Sequence, residues 1–205
     1  PPRVLSGEEE ARYATLGVHY GHEHAQGLFA DLGGGSLELS LGEDAAMTSL
    51  PLGVLRLLEQ SRGKHGRARS IIREALKPVR LIRESEGETL HLVGGSWRAM
   101  GTLHRLLQRE PLPQLIEGYG LKARKTRRFA GRIVREKPDR LRPYLRRSDR
   151  ADTLPYAALV LRRLIKQSGV SRVRFSQYGI REDLLVDWVR QERFSAPVND
   201  RQFAL

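Results

Sequence analysis

The 205-residue chain contains no cysteine. That excludes disulfides, thiol nucleophiles and zinc–thiolate sites. It fits a reducing compartment, and a cytoplasmic protein is the expectation. Long apolar runs are also missing. The longest is about the length of "AALVL" at 157–161, far short of the roughly 20 residues a membrane helix needs. No membrane partner is expected. There is no internal repeat and no low-complexity linker. Acids are scarce in one place: residues 121–150 hold 13 Lys/Arg against three Asp/Glu, a net of +10 in a chain whose total is +12. An anionic partner follows from that imbalance, whether nucleic acid, phospholipid surface or polyanionic substrate. Specific nucleic-acid recognition is disfavoured. No helix-turn-helix pattern is present, and only Phe129 and Tyr144 interleave with the arginines.

What is present suffices for a core, since 40% of residues are hydrophobic. The length allows one large domain or two small ones. The opening stretch reads as a strand end and a helix, with Ser6 and Glu9 at capping-box spacing. Short strands follow at 27–32, 36–41 and 45–50. Pro51 is placed to start a helix over "PLGVLRLLEQ". A second helix, "ARSIIREALKPVRLI", should end or kink at Pro78. "TLHLVGGSWRAMGTLHRLLQRE" reads as strand, glycine turn and helix, capped by Ser96, with Leu103, Leu106 and Leu107 as its apolar stripe. The basic segment reads as short helices broken at Gly131, Pro138 and Pro143. A helix from Asp152 to Gly169, a strand "SRVRFS" and a helix "REDLLVDWVRQ" complete the chain. Hairpin strands followed by crossovers predict an α/β fold, a mixed sheet with helices on both faces.

The stretch "GLFADLGGGSLELSL" carries the most chemistry. Three successive glycines cost backbone entropy, and a hairpin needs only two turn residues. Bare amides in such a loop cradle phosphate oxygens. Asp31, just before it, is an acid of the kind that holds Mg²⁺ through water. Glu38 alternates to the same side as Ser36. Gly94 and Gly95 sit between a strand and a helix N-terminus, a second natural anion position. Tyr178 and Gly179 follow the last strand, at the strand ends where ligands of open α/β sheets gather. Of the six histidines, His22 and His24 lie close together without a third ligand at metal spacing. No Ser-His-Asp arrangement is visible.

Together, "VLSGEEEARYATLGV", "LFADLGGGSLELSL", "LVGGSWRAMGTLH" and "RFSQYGIREDLLVD" resemble the exopolyphosphatase/guanosine pentaphosphate phosphatase (Ppx/GppA) family. The likeness spans nearly the whole chain. It implies a ribonuclease-H-like half of the actin-like ATPase superfamily, in which two such halves face each other across a cleft. The family's acid before Ala-Arg, the base for the attacking water, falls on Glu10. Its Mg²⁺-linked aspartate falls on Asp31. Gly33, Gly34, Gly35 and Ser36 then hold phosphate oxygens, with Glu38 as a further active-site acid and Gly94 and Gly95 closing the cleft. The family's first phosphate loop, Asp-x-Gly-Ser-Asn-Ser, is not found. The likeness therefore implies that residues 1–205 are the C-terminal half of the catalytic region, with a basic helical insertion at about 111–150 and the N-terminal half absent, inactive or nearly so alone.

The implied activity is Mg²⁺-dependent hydrolysis of phosphoanhydride bonds, in polyphosphate or guanosine pentaphosphate. The basic segment tilts the expectation towards polyphosphate and makes 121–150 a candidate groove for it. Family members are often dimers, so a homodimer is expected. A non-catalytic module binding polyanion or nucleotide is the alternative. A kinase of the same superfamily is disfavoured by Glu10, because a base for water is a liability there.

Overall fold

Leu28, Ala30 and Leu32 alternate with Phe29 and Asp31, so a strand here must present two different faces. The computed structural model describes residues 25–42 and 47–179, with Glu9, Arg12, Tyr13 and Val18 besides. Glu10, the capping box and the helix expected over 181–191 lie outside the described residues. The strands are β1 (Leu28–Leu32), β2 (Leu37–Ser40), β3 (Met47–Leu50), β4 (Thr89–Val93), β5 (Tyr119–Lys122) and β6 (Arg172–Phe175). They form one mixed sheet in the order β3-β2-β1-β4-β6-β5. The β1-β2-β3 meander is antiparallel, β1, β4 and β6 are parallel, and β5 runs antiparallel along β6.

The helices are α1 (Val54–Ser61), α2 (His65–Leu76), α3 (Arg80–Glu84), α4 (Gly95–Leu107), α5 (Ala123–Arg135), α6 (Pro138–Leu141) and α7 (Leu154–Ser168), with single 3₁₀ turns at Arg142–Tyr144 and Ser148–Ala151. They share one core with the Leu28, Ala30 and Leu32 face of β1. α7 is apolar nearly all round and buries Tyr156, Ala157, Ala158, Val160 and Leu161, as a central helix should. On the opposite face, Val18, which has helical backbone, is buried with Phe29 and Val93.

Several local expectations shift. Pro51 precedes α1 rather than opening it, and Gly53 takes the N-cap position. Pro78 does separate α2 from α3. Ser96 is buried inside α4 with Gly94 before the helix, and it makes no cap hydrogen bond. Leu103 is buried, but Leu106 and Leu107 are exposed; Trp97 and Met100 supply the rest of the buried stripe. The basic segment is not wholly helical, because its first residues form the edge strand β5. Gly131 does not break α5; a Cβ there would meet the Arg162 guanidinium, which passes over it. Thr153 replaces Asp152 at the start of α7, while Gly169 ends it in the left-handed conformation (φ 69°).

At the end of α4, His104 is buried edge-on to Phe129. Its Nδ1 lies 2.7 Å from the Tyr119 hydroxyl, and that hydroxyl donates to Glu110 at 3.3 Å. The carboxylate only accepts, so His104 carries its proton on Nδ1 and donates to Tyr119. Arg105 locks Glu110 at 2.7 Å and lies 5.4 Å above the Tyr119 ring. Burial, then the neighbouring Glu110 charge, pushes the Tyr119 phenol up to about 12. Burial, with Lys125 and Arg132 adding and Glu110 opposing, holds His104 below its ordinary 6.5. His65 moves the same way, through burial and then Arg69.

These shifts fix a pH dependence. As pH falls below about 6.5, the unfolded chain protonates these histidines before the folded chain does. Stability therefore falls with pH between 6.5 and the lowered folded values, and neither histidine contributes such a slope above it. Melting temperatures from pH 7.5 to 5.5 are expected to drop, and His104→Gln with His65→Gln should shallow that slope. An unchanged slope in the double variant counts against the assignment.

Candidate active site at the glycine hairpin

Asp31 and Glu38 stand directly opposite each other in the β1–β2 register. Opposed residues of an antiparallel pair bring their Cβ atoms to about 5 Å. Strand alternation puts Asp31 on the face of Phe29, His91 and Val93, away from the main core. Glu38 is buried on that face and accepts a 2.9 Å hydrogen bond from the Ser49 hydroxyl of β3. His91 stacks on Phe29 at 4.8 Å and donates from Nε2 to the Gln26 carbonyl at 3.1 Å. The polar face thus gathers Asp31, Glu38, Ser40, Ser49 and His91, of which the sequence singled out only the first two.

The loop between the strands is held from behind. Amides at the start of α1 donate into it: Val54 to the Gly33 carbonyl at 3.1 Å, and Leu55 and Arg56 to the Gly34 carbonyl at 3.0 and 3.3 Å. This helix N-terminus is therefore filled by loop carbonyls rather than by an anion. Gly53 packs so tightly that a Cβ on it would run into the backbone of Gly34 and Gly35. The triplet itself does not use the left-handed conformation. A Cβ on Gly34 would lie 3.1 Å from Cδ1 of Leu55, the end of an exposed side chain. A Cβ on Gly35 would meet nothing within 4 Å. Packing among the described residues thus places no demand for glycine at position 35. Among the described residues, no hydrogen bond uses the N–H groups of Gly34, Gly35 or Ser36.

The second glycine pair closes on the first site. Gly94 has φ 105°, and an added Cβ would lie 2.6 Å from the Leu32 carbonyl oxygen and 2.8 Å from Oδ1 of Asp31. The turn from β4 into α4 thus lies directly against Asp31. Gly95, the first residue of α4, accepts a 2.7 Å hydrogen bond from Arg150, whose guanidinium fills the space a side chain would need. Arg98, Arg146, Arg147 and Arg150 line a cavity of about 230 Å³ here, with Tyr144 and Gln177. Nε of Arg98 is buried with no partner among the described residues. Burial, then Arg147 and Arg98, lower the Arg150 pKa, with Asp149 opposing. The sequence reading missed Gly53, Ser49 and Arg98, whereas Arg146, Arg147 and Arg150 fall in the basic segment 121–150.

The third expected wall is differently built. Glu117 accepts from the Ser176 hydroxyl at 3.1 Å and from the amides of Gln177 and Tyr178 at 2.6 and 3.4 Å. An internal carboxylate thus takes the Gln177 and Tyr178 donors beyond β6. Among the described residues, no group of three or more His, Asp or Glu is placed to hold a metal ion, and no helix is long and apolar enough to cross a membrane.

Solved structures share this architecture. An exopolyphosphatase from Cytophaga hutchinsonii ATCC 33406 matches with a TM-score of 0.78 at 21% identity, over 92% of this chain and 65% of its own. A Ppx/GppA family member from Aquifex aeolicus gives 0.73 at 20% identity, over 93% and 65%. An exopolyphosphatase-like protein gives 0.76 at 21%, over 94% and 68%. The chain spans about two thirds of the length of these neighbours. Its mixed sheet and flanking helices are the actin-like ATPase fold of these neighbours. The Ppx/GppA phosphatase family model matches residues 3–192, which takes in both glycine turns, the opposed carboxylates and the basic helix, and the chain belongs to that family.

Proposed function

We propose that the protein is the catalytic half of a phosphoanhydride hydrolase that removes terminal phosphate from polyphosphate or guanosine pentaphosphate. The observation that carries this reading is the open front of the hairpin loop. Among the described residues, nothing packs where a Gly35 side chain would lie, and the three consecutive amides of Gly34, Gly35 and Ser36 meet no acceptor. A phosphate oxygen supplies that acceptor and occupies that space. Arg150 and Arg98 lie beside the second turn, where they neutralise charge on the transferred group.

Mg²⁺ fits the donor set. Asp31 and Glu38 are hard oxygen ligands directly opposed on adjacent strands, the ligand type Mg²⁺ takes. Asp31 and Glu38 would hold the ion, and it would neutralise charge on the phosphate oxygens as the bond to phosphorus breaks. The rest falls to the chain. The loop amides fix the phosphoryl group, the arginines compensate its charge, and Glu10 takes a proton from the attacking water. That division suits phosphoryl transfer, where positioning and electrostatics dominate.

The test is phosphate release from both substrates by the full-length gene product with Mg²⁺, beside two variants. Glu10→Gln is expected to cut turnover by about 10²–10⁴-fold. Gly35→Ala is expected to raise KM about tenfold, or 1.4 kcal/mol, while leaving the melting temperature unchanged. If wild type binds polyphosphate but never releases phosphate, the non-catalytic binding module replaces this reading. If Gly35→Ala binds and turns over normally, the loop is not the phosphate seat.

A further inference from the structure

Helix α5 contains six Lys/Arg and no acid. Its buried stripe, Thr126, Phe129, Ala130, Ile133 and Val134, divides these cations into two sets. Arg124, Lys125, Arg128 and Arg132 border one groove. Arg127 belongs to another depression, formed with Arg69 and Arg162 against α2 and α7. The first groove has a volume of about 520 Å³. Lys122 joins it from β5, and all five of its Lys/Arg side chains are exposed. None of the five has a carboxylate partner among the described residues.

This arrangement works against the helix. Arg124, Arg128 and Arg132 are spaced i, i+4 and i+8, and like charges at that spacing destabilise a helix. Lys125 and Arg132 are close enough to His104, on the groove wall, to depress its pKa after burial has done so. Among the described residues, this row of cations lining one concavity has no counter-charge.

The groove has a direction. Lys122 pairs with Arg172 at the start of β6, the end of the sheet opposite Gly33–Ser36 and Gly94. α5 then spans about 14 Å from Ala123 to Arg132 at 1.5 Å per residue. A second depression shares Leu107, Phe129 and Arg132 with the groove; its floor is Leu103, Ile133 and Leu141, and Arg140 is exposed on its rim. That depression shares Tyr144 with the arginine cavity beside Gly95. Through these shared residues three adjoining depressions line up as a trough from the far end of the sheet to the second glycine turn, with the Glu136–Arg140 ion pair (3.6 Å) at its middle.

We infer that this trough, with Lys122, Arg124, Lys125, Arg128 and Arg132 along α5, is an extended seat for the distal part of an inorganic polyphosphate chain whose end lies at the glycine hairpin. The inference deepens the proposed function and rests on its substrate class, but its readout is binding rather than phosphate release. A phosphate polymer is favoured over nucleic acid by the lining. Single-stranded nucleic acids need exposed aromatic platforms for their bases. The aromatic rings beside α5, Phe129 and His104, are 6% and 4% exposed, and Tyr144, 51% exposed farther along the trough, is a single ring rather than a row of platforms for successive bases.

The experiment is fluorescence anisotropy with end-labelled long-chain polyphosphate, with tripolyphosphate and single-stranded RNA as competitors. Arg124→Gln/Arg128→Gln is expected to weaken long-chain binding at least about tenfold. It should leave tripolyphosphate affinity unchanged and reduce the slope of log K against log salt by about 1.4, taking about 0.7 per neutralised charge. Arg127→Gln/Arg135→Gln removes the same charge from the same helix outside the groove and is expected to change affinity less than twofold. Four results overturn the inference: no long-chain binding by wild type, equal weakening in both double variants, equal loss for tripolyphosphate, or RNA displacing polyphosphate at lower concentration than polyphosphate itself. None of these bears on whether phosphate is released, so the hydrolase reading stands or falls separately.

Discussion

Gly53→Ala is expected to displace the hairpin loop that Gly53 abuts. The new Cβ would occupy the backbone of Gly34 and Gly35, and backbone cannot rotate aside as the end of a side chain can. The adjustment has to come from the loop or from the start of α1. These are joined by the Val54, Leu55 and Arg56 amides, so moving either one weakens those hydrogen bonds. Overpacking of this kind costs about 1–3 kcal/mol. The functional effect should be larger in proportion, since a misplacement of about 1 Å in a positioning element can cost about 100-fold in rate. Gly66→Ala is the control. It lies in α2, its Cβ would meet nothing within 4 Å, and its φ is not left-handed. That change should stabilise by about 0.4–1 kcal/mol and leave turnover alone. Denaturant melts and phosphate release on both variants separate the two. If Gly53→Ala matches wild type in both, the contact between the loop and α1 has been misjudged.

Trp97→Ala should have the largest effect on stability. Trp97 is completely buried between the sheet and α7, and its indole N–H donates to the Ala157 carbonyl at 3.1 Å. Truncation leaves a cavity among side chains whose positions are set by β4, α4 and α7 together. Such changes cost about 3–5 kcal/mol. For a chain of this size that lowers the melting temperature by on the order of 10 °C. Trp97→Phe should recover most of the loss, because the ring volume is largely kept and the hydrogen bond is a minor term. A melting temperature for Trp97→Ala within 3 °C of wild type would show that the site collapses around the gap.

The hairpin was legible because its signals are local. Asp-x-Gly-Gly-Gly-Ser-x-Glu between apolar runs fixes a turn, two strands and the side on which Glu38 lies, all within about ten residues. The β1-β2-β3 meander and the Gly94–Gly95 turn were legible for the same reason. β5 was not. "YGLK" is four residues long and adjoins a run of Lys/Arg that reads as helix, and only pairing with β6, more than 50 residues later, makes it a strand. Gly53 and Arg150 were hidden by the same kind of distance. Nothing near Gly53 in the sequence announces that the hairpin backbone will rest on it, and Arg150 reaches Gly95 across 55 residues. Leu106 and Leu107 misled in the other direction, since helical spacing alone does not say where a partner helix ends. The triplet itself was read for the right chemistry with an incomplete cause. Gly34 borders the end of the Leu55 side chain, and at Gly33 and Gly35 a side chain would meet nothing closer than ordinary contact among the described residues.

The hydrogen bonds behind the hairpin loop also bear on how the site could be transplanted. Its carbonyls are engaged by α1 in the folded protein, so the loop is ordered before any anion arrives. Binding then spends little of its free energy on freezing glycine backbone, although glycine is the residue with most freedom to lose. A peptide carrying residues 27–41 alone would have to order that loop with each ligand it met. A graft into another scaffold would therefore need α1 and Gly53 along with the hairpin.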